Sequence, residues 1–172
     1  MSNAQYLASL VNSSGNINIP VSNAGINFNN SSATGASTLT DYETGTYTPT
    51  LFCSGSSYTY LAQYGWYTKV GALVTVGGTI QINTVTSAGS GQLNLSLPFT
   101  AQSGGNDEVS CASIGYRTNW SSNFPSSGYV AHNQNYIQLT TNPTGSTTTS
   151  ISGANVASSC YLDFSVTYVT NF

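Results

Sequence analysis

From residue 46 onward the chain alternates apolar and polar positions with a period of two, the pattern of strands with one buried and one wet face rather than of helices. The alternation is cleanest between Gln63 and Asn83. There Val74, Val76, Gly78, Ile80 and Ile82 share one parity, while Thr75, Gly77, Thr79, Gln81 and Asn83 take the other. Trp66, Thr68 and Val70 fall on the same parity as the valines, ahead of a Gly71-Ala72 break, so the stretch predicts a hairpin with an even-numbered buried face. Downstream, Leu93, Leu95, Leu97 and Phe99 line one side of another strand, which Pro98 ends or confines to an edge. Leu162, Phe164, Val166, Tyr168, Thr170 and Phe172 line the last. Gly- and Ser-rich turns at 54–57 and 87–91 separate these runs, and no helix is expected after residue 40. Eight or so short strands predict an all-β fold, an antiparallel β-sandwich or jelly-roll-like domain.

Residues 1–40 follow a different rule. Gln5 to Val11 suit one or two helical turns, and Ile17, Ile19, Val21, Ile26 and Phe28 are spaced through Asn, Ser and Gly. Such a segment is too Gly-rich to hold a core, yet more apolar than chains that stay disordered. It reads as an extended N-terminal attachment arm, 1–40, preceding a β-sandwich knob domain, 41–172; the alternative is a disordered tether.

Composition narrows the function. With 172 residues the chain can bury roughly 70 % of its unfolded surface, enough for a core without cross-links. Lys69 and Arg117 are its only basic side chains, against Asp41, Glu43, Asp107, Glu108 and Asp163. Two cations cannot neutralise a phosphate backbone, so a nucleic-acid partner is not expected. Ser, Thr, Asn and Gln do the solvating, as suits an extracellular or virion surface. Without a stretch of ~20 apolar residues no membrane insertion is expected, and without a basic, apolar leader synthesis is expected in a cytoplasm. Cys53, Cys111 and Cys160 are odd in number and lack CxxC spacing, so all three read as buried thiols, with neither disulfides nor a metal site.

Three ordered motifs carry a resemblance. DYETGTYTPTLF at 41–52, QYGWYTKVGALV at 63–74 and LNLSLPF at 93–99 resemble a β domain at the C-terminal end of many tailed-phage fibre and virion-surface proteins. Tyr47 stands where that pattern has Trp, and Val70 and Ala72 where it has Ile and Asn; the first two swaps keep aromatic and aliphatic character. The resemblance implies a homotrimer on the virion, a tail fibre or knob attached to other virion proteins through the arm. The 12 Tyr suit subunit contacts as well.

No catalytic constellation stands out. His132 has no acid or nucleophile near it in sequence, Asp107 and Glu108 are adjacent in a Gly-rich loop, and P-loop, HExxH and GxSxG patterns are missing. No cofactor and no enzymatic activity are expected. The candidate ligand site is the aromatic and polar stretch Tyr116, Arg117, Trp120, Phe124, Tyr129 and His132, where rings suited to sugar faces sit beside hydrogen-bonding groups. Packing of the same rings onto the sheet is the competing reading. Three functions follow: a non-enzymatic fibre or knob binding a host surface glycan or receptor, a capsid decoration (cement or head-fibre) protein, and, third, a glycan depolymerase.

Overall fold

The computed structural model describes residues 26–27, 38–39, 42–104, 110–142 and 147–171. By backbone contact the chain divides into two units, Met1–Tyr42 and Glu43–Phe172. In the first, β1 (Ile26–Asn27) and β2 (Thr38–Leu39) pair antiparallel with Ile26 opposite Leu39. The helical turns expected at 5–11, the alternating stretch 17–21, Asp41, Asp107, Glu108 and Phe172 lie outside the described residues.

Apart from one 3-10 turn at Gly153–Asn155, the regular structure of the rest of the described chain is antiparallel β. Its strands are β3 (Tyr42–Tyr47), β4 (Leu51–Ser54), β5 (Ser57–Val70), β6 (Leu73–Ser87), β7 (Ser90–Ser96), β8 (Ser110–Thr118), β9 (Ser127–Val130), β10 (Tyr136–Thr141), β11 (Thr149–Ser150) and β12 (Tyr161–Val169). They form one sheet in the order β3-β5-β6-β12-β8-β9-β10-β7-β4, with β11 on β10. The strands at its two ends, β3 and β4, follow each other in the chain with only residues 48–50 between them. The sheet therefore curls until its ends meet. The Tyr60 hydroxyl of β5, the strand beside β3, fastens β4, accepting from the Leu51 N–H and donating to the Leu51 carbonyl, each at 3.1 Å. Two halves face each other as the layers of a sandwich do, joined through β8 and β9.

One core fills the space between the halves. Val74, Val76, Ile80 and Ile82 of β6 meet Leu162 and Val166 of β12, Leu93 and Leu95 of β7, and Ile137 and Leu139 of β10. Each such side chain contributes about 1.5–3 kcal/mol of transfer free energy. β7 ends at Ser96, two residues before Pro98, which has no N–H to extend a ladder.

The long hairpin departs from the expected register. Across the two-residue turn Val70 pairs with Leu73 and Lys69 with Val74, so residues sharing a face have numbers of opposite parity. Lys69, only 8 % exposed, and the half-buried Tyr67 thus lie opposite the buried valines, while Trp66 and Val70 face outward. A bulge at Leu61 then restores the even parity, with Tyr60 opposite Ile82 and Ala62 opposite Gln81. Gly71 opens the turn at φ 59°, a backbone state that a residue with a Cβ adopts only at a cost.

Candidate functional site

A second bulge builds the candidate site. Leu162 of β12 pairs with Arg117 of β8, but Phe164 pairs with Ile114, so Gly115 and Tyr116 together oppose Asp163. The extra residue flips the parity of β8. Strict alternation after Ala112 and Ile114 would send Tyr116 inward and Arg117 outward. Instead Tyr116 is 64 % exposed, and Arg117 takes the face of the buried Leu162 at the end of the strand. Bulges re-aim side chains in this way.

Tyr116, Arg117, Asn119, Trp120 and Phe124 line a cleft of about 420 Å³ at that end of the sheet. The Arg117 guanidinium lies 4.4 Å above the centre of the Phe124 ring, within reach of its π face. Tyr116 meets Tyr161 edge to face, with ring centres 5.6 Å apart. Trp120 is half-buried against the core, and its indole N–H donates to the Tyr161 carbonyl at 3.1 Å. Asn119 holds the turn between them at φ 60°, and its amide donates to the Ser159 carbonyl at 3.2 Å.

The other two candidate residues lie elsewhere. Tyr129, on β9 opposite Cys111, donates its hydroxyl to the Gln138 side-chain oxygen at 2.7 Å. His132 borders a smaller cavity of about 320 Å³ with Ala101, Val130 and Tyr168, where its Nδ1 is hydrogen-bonded to the Gln102 carbonyl at 3.0 Å. The six residues thus separate into a cluster of four and two outliers. Asn119 and Tyr161 complete the cluster; Tyr161 is some forty residues away in sequence and gives no local signal.

A third concave surface, about 440 Å³, runs along β3 and β5 between Thr46, Thr48, Gln63, Tyr64 and Trp66. Its floor explains two of the sequence motifs. A side chain at Gly65 would collide with the Tyr47 ring, and one at Gly45 with the Tyr67 ring, so each glycine leaves room for the other strand's tyrosine. The Tyr67 hydroxyl donates to Glu43 at 2.5 Å, which holds the phenol above its ordinary pKa, chiefly through that bond. Asp163, the other described carboxylate, accepts from Thr79 at 2.6 Å on the outer face. Cys160 is buried and Cys53 half-buried, but Cys111 is exposed, because it precedes the inward Ala112 and shares the outer face with Tyr129. Among the described residues no group of His, Cys, Asp and Glu converges to hold a metal ion, and no helix is long and apolar enough to cross a membrane.

No known family model matches this chain, and no curated protein sequence does. Among solved structures, the crystal structure of the Dettilon tailspike protein (gp208) is similar at a TM-score of 0.63. The two are 20% identical, and the likeness covers 76% of this chain and 24% of that one. What they share is a fold. This chain spans about a quarter of the tailspike's length, 24%.

Proposed function

We propose that this protein is a non-enzymatic virion-surface component of tail-fibre or tailspike type, a homotrimer that turns the Arg117 cleft toward a host glycan or receptor. The observation that carries the reading is the fold shared with a tailspike protein over 76% of the chain. The ordered motifs at 41–99 favour the same family of surfaces. In this reading residues 1–40 join the domain to other virion proteins.

Binding rather than hydrolysis is supported by where the two described carboxylates sit. Glu43 and Asp163 are each held by a neighbouring hydroxyl, and neither lines the cleft. Glycosidic cleavage calls for two carboxyl groups flanking one bond, in most such enzymes. Trimer formation is supported by a row of apolar side chains on the outer face, Val70, Leu73 and Val169, exposed side by side on β5, β6 and β12. None of the three carries charge to repel a second copy.

Competition for adsorption tests the proposal. Purified protein added to host cells ahead of phage should slow adsorption in proportion to its concentration. Tyr116→Ala should lose most of that effect with an unchanged melting temperature, since the ring is exposed. Trp120 is a poor probe because its indole is tied into the fold. Undisturbed adsorption at saturating protein would refute the recognition role.

A further inference from the structure

Of the two described Lys and Arg side chains, the cleft holds the one that is not buried. Lys69 and Arg117 are the only basic side chains in the sequence, and Lys69 is buried beneath the long hairpin. Arg117 is brought to the cleft by the β8 bulge, which costs one residue's place in the ladder. One face of its guanidinium covers Phe124, an arrangement that leaves the in-plane N–H edges for a planar or tetrahedral anion. Of the described carboxylates, Glu43 accepts from Tyr67 and Asp163 from Thr79; Asp163 stands beside Gly115 and Tyr116, on the opposite face of the sheet from Arg117. Around the cation stand an exposed phenol, Tyr116, a half-buried indole, Trp120, and the Asn119 amide. A ring edged by charge fits this set better than a neutral chain does.

We propose that the cleft binds an anionic sugar, with a carboxylate or phosphate on the guanidinium edge of Arg117 and the sugar's apolar face against Tyr116. The inference rests on the recognition role proposed above and adds the class of ligand. A charge-assisted hydrogen bond is about twice as strong as a neutral one, so the anion should gain about tenfold in affinity over an uncharged ring of the same shape.

Titration of the full-length protein, followed by nuclear magnetic resonance of the Trp120 indole and Arg117 side-chain N–H groups, tests this. Methyl glucuronide, glucose 6-phosphate and methyl glucoside are the probes; they share a ring and differ in charge. At least one of the first two should shift both signals at about a tenth of the concentration the glucoside needs, and which one does so separates carboxylate from phosphate ligands. Arg117→Gln should bring the three to equal weak binding, and Arg117→Lys should keep part of the preference. Melting curves of both variants report whether the fold is intact. Equal binding of all three probes by the unaltered protein, or a preference that survives Arg117→Gln, would overturn the anionic inference while leaving sugar recognition standing. No shift with any probe would remove the cleft as a sugar site, and adsorption competition then decides the recognition role separately.

Discussion

Ile80 has no solvent exposure, with Leu162 opposite it on the inner face, so a carboxylate there would have no partner and no water. Ile80→Asp should cost several kcal/mol, on the order of the stability of a whole domain. Asn83→Asp, three residues along and exposed, should leave the melting temperature within a degree or two. Similar large losses in both variants would contradict the register. Thr79 is less suitable as a wet-face control, because it donates to Asp163 and a second carboxylate there would meet the first. The thiols are separated by the same geometry. Cys111 should react rapidly with a thiol reagent at pH 8 and Cys111→Ser should abolish the fast phase, while Cys160 waits for unfolding. Burial pushes the Cys160 thiol up to about 11 from 9.0 and raises the phenols of Tyr47 and Tyr168. A raised thiol pKa favours the fold while the group is protonated. That contribution is complete below pH 9.0 and is lost as pH climbs through about 11, so melting temperatures should fall over this interval. A flat profile to pH 11 would contradict the burial of these groups.

At the level of strands, most of the sheet was legible because alternation is a direct consequence of burying one face. Val74 to Ile82, Leu93 to Leu97 and Leu162 to Tyr168 all point inward as the pattern predicts. What alternation could not show is where an extra residue resets it. Leu61 carries no mark of a bulge and Gly115 only the general one of a glycine within a strand, yet they decide whether Tyr60 clasps Leu51 and whether Arg117 enters the cleft. Four of the six candidate residues come together at the end of β8, whereas Tyr129 and His132 lie beside its start, near Cys111 and Ser110. The two-residue turn at Gly71-Ala72 misled in another way: crossing it exchanges odd for even, which exposes Trp66 and buries Lys69. The reciprocal fit of Gly65 with Tyr47 and Gly45 with Tyr67 predicts a specific epistasis. Gly65→Ala should cost about 1–3 kcal/mol by overpacking, and Gly65→Ala combined with Tyr47→Ala should cost less than the two changes added. Strict additivity in denaturant melts would show that ring and glycine do not touch.

For the whole molecule, the curled sheet closes its core within one chain, yet leaves Val70, Leu73 and Val169 uncovered in a row. If three copies meet there, Leu73→Glu should convert a trimer to a monomer in light scattering after size exclusion, with little loss of β signal in circular dichroism. A monomer before substitution, at micromolar concentration, would refute trimer formation. Whether residues 1–40 serve as the attachment arm belongs to the same question, since an arm has meaning only on a particle. The most direct measurement of the central claim is electron microscopy of intact particles labelled with gold-conjugated antibody against residues 43–171. Gold should appear at the tail tip or its fibres, in clusters set by a trimer. Label spread over the capsid would contradict it and point to a decoration protein, and particles without label would place the chain outside the virion altogether.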